Sequence, residues 1–378
     1  LDACAHIPAI ELLSIIGRVQ QVVVIAHCAT VTSESVKQLI DTLPHIEVDA
    51  APSRRAPRLS AFLESEGYGP VRYDVATEPA AGEVRFHRVE ASGVPVMSSG
   101  LVESSQPEID EVVRLITQRA AGFAVVPSSY RLVVVTLTDA FRTRLGAELK
   151  SLAGKSKAMG RFLRHVRLVS LRDVAGGRAT DVILSMCYAK TTHGRLLQQF
   201  GPLESTGGRG LLLDALALAD HSLDIVSAFG SEDLDEERLH QSGPRFLKTM
   251  LTWAEQLDDR PVLPLRDAAG GNVLFDDIAD RLRARGLNAA VDYGFDKGVK
   301  IPLVVGLKEK PFALAVQTDD ANFMSVQSTR RRHRLSAQDL ISLGWNVMTV
   351  WSVAAFVNPD KEVDRIVSRI GEIYREVE

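Results

Sequence analysis

Residues 132–152 read LVVVTLTDAFRTRLGAELKSL, an apolar run followed by a segment with helical spacing. The run at 132–137 is almost continuously apolar and rich in valine, which is typical of a strand buried on both faces of a parallel sheet. Strands that alternate with helices predict an α/β fold built on a parallel sheet. The other strand patterns of this part of the chain lie at residues 22–25, 84–89, 166–171, 182–186 and 223–228.

A second α/β domain is predicted after residues 257–271. This segment contains two prolines and two glycines, which makes it the clearest linker in the sequence. The pattern then restarts in residues 272–378 with the order αβββαβα. Its predicted elements are a helix at 275–285, strands at 289–293, 299–307 and 312–318, a helix at 336–343, a strand at 347–351 and a helix at 361–375.

Composition excludes several classes of protein. The 378 residues are 46% apolar and 24% charged, which argues for a folded chain of two or three domains and against disorder. Lys plus Arg is 44 and Asp plus Glu is 48, so the net charge of 44 − 48 = −4 excludes a basic nucleic-acid coat. Any polyanion site must therefore be a local patch.

Cysteine usage and hydropathy indicate the compartment. Cys4, Cys28 and Cys187 are far apart and form no Cys-x-x-Cys pair, which argues against a disulfide scaffold and a zinc site. We therefore expect a reducing, cytoplasmic environment. No apolar run approaches the roughly 20 residues of a membrane span, so no membrane partner is expected. The chain opens at Leu1 without Met or a basic leader, which we interpret as the absence of a signal peptide and a cut through a larger protein.

Charged clusters supply the candidate binding residues. One basic cluster spans residues 155–167, and a second one, Arg330, Arg331, Arg332 and Arg334, stands at the predicted start of a helix. Backbone amides at a helix start also attract anions, so the second cluster is the better candidate for phosphate binding. The acidic run at 232–237 is interpreted as a solvated face, and His27, His193 and His333 as structural. Gly154-Lys155-Ser156 lacks the earlier glycine of a P-loop and is interpreted as a helix end.

Five segments of residues 1–256 resemble motifs of superfamily 1 helicases, whose ATPase has two RecA-like domains. The resemblance implies that residues 1–47 end a first RecA-like domain and that residues 48–256 form the second. The segments are Leu1-Asp2-Ala3-Cys4 (Walker B box), 22–30 (a strand and its sensor), 53–59 (the opening of the second domain), 173–185 (motif V) and 211–227 (motif VI).

The helicase resemblance fails at the positions that carry chemistry. Ala3 stands where the Walker B glutamate belongs, and Gly176 and Ala179 stand where motif V has Gln and Glu. Leu218 occupies the position of the arginine finger, which stabilises charge that develops on the γ-phosphoryl group. The vestigial helicase positions are Asp2, Ala3, Gly176 and Leu218.

Residues 272–378 are similar to small PD-(D/E)XK nuclease domains related to very-short-patch-repair endonucleases. The similarity is carried by residues 330–356, with an arginine-rich helix start, Leu343-Gly344-Trp345, a strand and Trp351-Ser352 in that order. The expected fold of the whole chain is therefore a RecA-like parallel-sheet domain followed by a small restriction-endonuclease-like α/β domain.

The nuclease resemblance implies a degenerate active site. In active members, an Asp of the second strand and a Glu of the third bind a metal ion that activates water. These positions are Pro302 and Gln317 here, while Asp319 keeps an acid two residues further on and Asp277 stands for the acid of the preceding helix. Proline cannot ligate a metal, and a neutral Gln is a poor Mg²⁺ ligand. A displaced site of Asp292, Asp296 and Asp319 remains the alternative.

Three hypotheses about function follow. The favoured one is a catalytically degenerate helicase/nuclease-like module that binds nucleic acid, DNA rather than RNA, or that positions an upstream helicase half or protein partner in DNA metabolism. It requires no cofactor. The second is an active metal-dependent endonuclease, which would use Mg²⁺, and the third is a protein-interaction scaffold. The candidate nucleic-acid contacts are Arg54, Arg55, Arg330, Arg331, Arg332 and Arg334.

Overall fold

The chain divides into two compact units. The computed structural model describes residues 14, 16–24, 31, 34–44, 46, 51–69, 71–77, 83–96, 100–103, 105–174, 177–257, 263–265, 272–296 and 298–375. No helix within these residues is both long and apolar enough to cross a membrane. The first unit holds Leu1–Val48, Ala61–Pro70 and Gly82–Arg260, and the second holds Asp49–Ser60, Val71–Ala81 and Pro261–Glu378.

The first unit is built on a parallel sheet of five strands. The sheet order is β1-β7-β5-β3-β4, and every neighbouring pair is parallel. All five residues of the strand Leu132–Thr136 are buried, as its apolar run predicts. The predicted parallel α/β architecture is therefore confirmed. The five strands of the sheet are β1 (Val84–Arg88), β3 (Leu132–Thr136), β4 (Val166–Ser170), β5 (Ala179–Ser185) and β7 (Ala219–Ser227). Two short strands, β2 (Ser92–Gly93) and β6 (Lys190–Thr191), form a separate parallel pair.

Polar side chains set the helix boundaries in this part of the chain. Thr138 caps the helix that follows β3 by accepting a hydrogen bond from the amide of Phe141, and Ser156 caps the next helix. Residues 22–24, predicted as part of a strand, have no regular secondary structure, and residue 25 lies outside the described residues. The helices are α1 (Glu34–Thr42), α2 (Pro57–Ser65), α3 (Gln106–Ala121), α4 (Asp139–Lys155), α5 (Lys157–Phe162), α6 (Gly208–Ala217) and α7 (Ser242–Glu255).

A buried ion-pair network, formed by Arg119, Asp181, Asp224, His87 and Tyr130, braces one face of this sheet. Arg119 contacts both carboxylates, and its Nε lies 3.3 Å from Asp181 Oδ2. The Tyr130 hydroxyl donates to Asp181 at 2.8 Å, and His87 Nε2 lies 2.7 Å from Asp224 Oδ1. Burial opposes ionisation of Asp224, but His87 and Arg119 hold the pKa of this carboxyl below its ordinary range. The network is structural because its charges satisfy one another.

The second unit is a mixed sheet of four strands with helices along it. The sheet order is β11-β10-β9-β8, with β8–β9 and β9–β10 antiparallel and β10–β11 parallel. Its strands are β8 (Leu287–Tyr293), β9 (Ile301–Leu307), β10 (Phe312–Gln317) and β11 (Asn346–Thr349). Its helices are α8 (Val273–Ala284), α9 (Ala321–Ser325), α10 (Ser336–Ser342), α11 (Ser352–Val357) and α12 (Pro359–Arg375). The predicted αβββαβα order is present, with the short helices α9 and α11 added.

Both faces of this sheet are covered. Alternate residues of β9 and β10 pack into a core with α8 and α12, and the remaining ones pack into a second core that contains Trp345. The indole Nε1 of Trp345 donates to the carbonyl of Val75 at 2.7 Å. Residues 71–77 thus complete the second core, although the sequence boundaries assign them to the preceding domain. This long-range packing leaves no local signal in the sequence.

Most of the predicted linker 257–271 lies outside the described residues.

Candidate functional site

The structure brings Pro302 and Gln317 together at one end of neighbouring strands. Leu303 of β9 pairs with Val316 of β10 in antiparallel register, and Pro302 and Gln317 are the next residues toward the same end. Both line a cavity of about 240 Å³. The pyrrolidine ring of Pro302 offers no ligand atom, and Gln317 offers only a neutral amide. The cavity therefore has no carboxylate at either strand position.

Three charged side chains that line the cavity, those of Arg72, Arg331 and Asp339, take part in ion pairs. Arg72 Nε lies 2.8 Å from Asp74 Oδ2, and Arg72 Nη1 lies 2.9 Å from Asp339 Oδ2. Arg331 Nη2 is 3.7 Å from the same Asp339 oxygen. Burial raises the pKa of Asp74, with Arg72 acting against the shift. Sequence reasoning missed Arg72, which reaches the cavity from outside residues 272–378. The charged lining residues are Arg72, Lys300, Asp320, Arg331 and Asp339.

Asp319 and Asp277, the two acids retained from the nuclease pattern, have other contacts. Asp319 Oδ1 accepts from the Ser352 amide at 2.7 Å, and its Oδ2 accepts from Ser352 Oγ at 2.9 Å. Partial burial acts against these hydrogen bonds, yet they hold the pKa of Asp319 below its usual range. Asp277 is exposed on α8 and pairs with Arg281 at 2.8 Å. Neither acid lines the cavity.

The alternative acid set of Asp292, Asp296 and Asp319 forms no metal site among the described residues. In that part of the chain, no group of three or more His, Cys, Asp or Glu side chains is arranged to hold a metal ion. Asp292 is half-buried with a φ of 45°, and Asp296 is exposed. Burial raises the pKa of Asp292, nearby Lys300 opposes the shift, and Asp320 adds to it.

The arginine segment, residues 330–334, forms the first turns of a helix. The helix begins after Ser328, whose Oγ accepts a hydrogen bond from the Arg331 amide at 3.3 Å. Residues Arg331–Leu335 form a π-helical turn that runs directly into α10, and Ser336 Oγ donates to the Arg331 carbonyl at 2.9 Å. The predicted helix start at Ser336 is too late, because the helix begins at Thr329 and Ser328 is its capping residue. The arginines therefore lie in the first turns of the helix rather than before it.

The arginine segment presents charge to solvent. Arg330 and Arg334 are exposed, and Arg331 and Arg332 are partly buried. Within the described chain, Arg330, Arg332 and Arg334 form no ion pair, whereas Arg331 pairs with Asp339. Cations in the first turns of a helix oppose its macrodipole, so this charge does not stabilise the helix.

The two earlier candidate arginines also belong to the second unit. The Arg54 guanidinium donates to the Ser342 carbonyl at 3.1 Å, at the C-terminal end of α10. Arg55 is partly buried, and its amide donates to Ser53 Oγ at 3.1 Å. Arg54 therefore contacts the opposite end of the helix that carries the arginine segment.

An aromatic cluster, formed by Phe323, His333 and Trp351, lies beside the arginine segment and was missed from the sequence. The Phe323 ring meets His333 at 5.1 Å and Trp351 at 5.8 Å between centroids, both edge to face. The Arg332 guanidinium lies 5.5 Å from the Phe323 ring centre. The sequence did contain a signal for this cluster. Phe323 and Trp351 each follow a strand, β10 or β11, and because these two strands are parallel neighbours, their carboxyl ends lie at the same edge of the sheet.

In the first unit, the one vestigial helicase position within the described residues is Leu218; Asp2, Ala3 and Gly176 lie outside them. Leu218 is buried at the end of α6, and its carbonyl accepts from the Ala179 amide at 2.9 Å. Ala179 begins β5 and is buried as well. Both positions carry side chains suited to a packed interior.

Glu108 of α3 is a fully buried acid that contacts the end of the central strand β5. Its Oε1 accepts hydrogen bonds from Ser185 Oγ at 2.7 Å and from the Cys187 amide at 2.8 Å. Burial raises the pKa of Glu108 to about 7, although these hydrogen bonds act in the opposite direction. Cys187 has a φ of 67°, and its amide is held by this carboxyl. Glu108 thus stabilises the turn after β5.

Comparison with known proteins identifies the fold of the second unit. The family model described as REase_MTES_1575 matches residues 275–370, which span the helices and strands from α8 to α12. A restriction-endonuclease-like domain is therefore present at the C-terminal end of the chain, as the sequence predicted. No curated protein matches the chain.

Proposed function

We propose that the restriction-endonuclease-like domain binds nucleic acid, DNA in preference to RNA, without cleaving it, within a larger helicase-like protein of DNA metabolism. The observation that carries the proposal is the pair Pro302 and Gln317 at one cavity. The nuclease resemblance expects two metal-binding carboxylates at these positions. Replacing both with neutral groups removes the charge that holds Mg²⁺ beside a scissile phosphate.

The arginine segment supports nucleic-acid binding. Arg330 and Arg334 are exposed and form no ion pair within the described residues. Their position in the first turns of a helix gives them no stabilising role there, so contact with phosphate groups is the better account of their presence. Because the whole chain carries a net charge of −4, this local cluster is what attracts a polyanion.

The helicase-like part of the proposal rests on the resemblance of residues 1–256. A five-stranded parallel sheet is compatible with a RecA-like domain, and Leu218 and Ala179 are buried where the resemblance expects catalytic polar groups. An ATP site without the arginine finger would lack transition-state charge stabilisation. We therefore assign the first unit a positioning role, next to an upstream helicase half or a protein partner.

Binding and cleavage are tested on one preparation of the full chain. Labelled single-stranded, duplex and forked DNA, and RNA of matched sequence, are incubated with Mg²⁺ or Mn²⁺ and with EDTA at two salt concentrations. We expect salt-dependent binding to DNA and intact substrates under all conditions. Metal-dependent cleavage that Asp319→Ala abolishes would contradict the proposal and support an active endonuclease.

A matched pair of variants tests the arginine segment. Arg330→Gln with Arg334→Gln removes two exposed charges from it, and Lys157→Gln with Arg161→Gln removes two exposed charges from α5. The first variant should weaken binding and make the slope of log K against log salt shallower by roughly 0.9 for each duplex phosphate that the protein no longer neutralises. The second variant should change neither affinity nor slope. Equal behaviour of the two variants would refute the assignment.

A further inference from the structure

The aromatic cluster exposes ring surface at the edge where β10 and β11 end. Trp351 is 43% exposed, and His333 is also exposed. The Phe323 ring is nearly perpendicular to both, at 88° to His333 and 80° to Trp351, and the His333 and Trp351 rings lie 6.3 Å apart, so that the three rings are in mutual contact. Edge-to-face packing leaves the face of an outer ring open to a further flat group.

The backbone on both sides of the cluster is held by carboxylates. Asp319 accepts two hydrogen bonds from Ser352, the residue directly after Trp351, at 2.7 and 2.9 Å. Asp320 accepts one from the Phe323 amide at 2.7 Å. Rings held in place before binding lose little conformational entropy when a ligand arrives.

One arginine contacts the rings, and two more lie close to it in the sequence. The Arg332 guanidinium lies over Phe323 at 5.5 Å, and its Nε is buried with no hydrogen-bond partner among the described residues. Arg330 and Arg334 flank it on the same helical turns and are exposed. Aromatic faces beside unpaired arginines match a ligand that has flat bases and a chain of negative charges.

We infer that the aromatic cluster stacks unpaired bases of a single-stranded nucleic acid, with Trp351 as the principal platform and Arg330 and Arg334 on the backbone phosphates. The inference rests on the proposed function and narrows it to a ligand class. In a duplex, each base face is covered by its neighbour, so an exposed indole has nothing to stack on. A single strand, or the single-stranded arm of a fork, presents free base faces.

The experiment compares Trp351→Ala, Trp351→Phe and Val353→Ala in the full chain, with Val353 as an exposed apolar control on the adjacent helix. Affinity for a labelled oligothymidylate and for a duplex of equal length is measured by fluorescence anisotropy, and tryptophan quenching is recorded. Trp351→Ala should weaken single-strand binding about five- to hundredfold while leaving duplex affinity within about twofold. Trp351→Phe should retain most of the affinity but lose the quenching signal. Val353→Ala should change neither measurement.

Each failure has a distinct meaning. Single-strand affinity that is unchanged in Trp351→Ala, but weakened in the Arg330→Gln, Arg334→Gln variant, would overturn the stacking role and leave the proposed function intact. Absence of binding to every nucleic acid would overturn both the stacking role and the proposed function. If the protein self-associates with rising concentration, and both Val353→Ala and Trp351→Ala abolish this association, the surface would instead be a protein interface. Thermal unfolding of each variant verifies that the fold is kept.

Discussion

Replacing Glu108 with Gln should remove a specific pH dependence from the stability of the first unit. The carboxyl is fully buried, and burial raises its pKa from an ordinary 4.5 to about 7. The folded protein therefore retains the Glu108 proton up to about pH 7, whereas the unfolded chain releases it near pH 4.5. The stabilisation that the buried, protonated Glu108 contributes is complete below the pKa of the unfolded chain. It is lost as the pH rises through the pKa of the folded protein.

The magnitude follows from the two pKa values. A difference of one pKa unit corresponds to about 1.4 kcal/mol, so the free energy of unfolding should fall by about 3 kcal/mol between the two values. Glutamine has the shape of the protonated acid, and its carbonyl can accept the hydrogen bonds from Ser185 Oγ and the Cys187 amide. Glu108→Gln should consequently be the more stable form at pH 8 and should lack this slope.

Hydrogen exchange of peptides that cover β5 measures the effect within the first unit, after correction for the intrinsic pH dependence of exchange. Glu111→Gln is the matched control on the same helix, because pairing with Arg114 lowers the pKa of Glu111. The contribution of Glu111 to stability is therefore present at neutral pH and is lost only as the pH falls through its lowered pKa. An unchanged slope between pH 5 and 8 in Glu108→Gln would refute the reasoning.

Three further predictions concern stability. Arg119→Leu removes the one arginine that contacts both carboxylates of the buried network and should cost about 3–5 kcal/mol in urea denaturation. Arg142→Gln, at an exposed pair, should cost less than about 1 kcal/mol. Trp345→Ala creates a cavity in the second core and should cost about 3–5 kcal/mol by thermal unfolding, unlike Trp351→Ala at the surface. Asp319→Asn weakens the two hydrogen bonds from Ser352 and should cost about 1 kcal/mol at neutral pH. The difference should shrink as the pH falls through the depressed pKa of the wild-type acid, and equal stabilities at pH 7 would contradict a stabilising role of these hydrogen bonds.

Part of the candidate site could be predicted because it depends on residue type and strand position. The nuclease resemblance assigned Pro302 to the second strand and Gln317 to the third, and the structure has both at one cavity. It also identified the arginine segment, although not its helical context, since the π turn and the Ser328 cap arise from the backbone path. The contact between Asp319 and Ser352 was not predictable, because it joins residues far apart in the chain. The meeting of Phe323 and Trp351 was missed, although both follow parallel strands.

The sequence by itself determined the two-domain α/β architecture, because buried strands need continuous apolar runs such as residues 132–137 and helices need apolar residues at helical spacing. It also supplied the hypothesis of a degenerate nuclease site, since the side chain of proline offers no ligand atom. Only the tertiary structure decided that residues 71–77 belong to the second unit, that Arg72 enters its cavity and that aromatic rings meet beside the arginines. Such contacts join positions far apart in the chain, and their free energy comes from packing and desolvation, which local sequence does not specify.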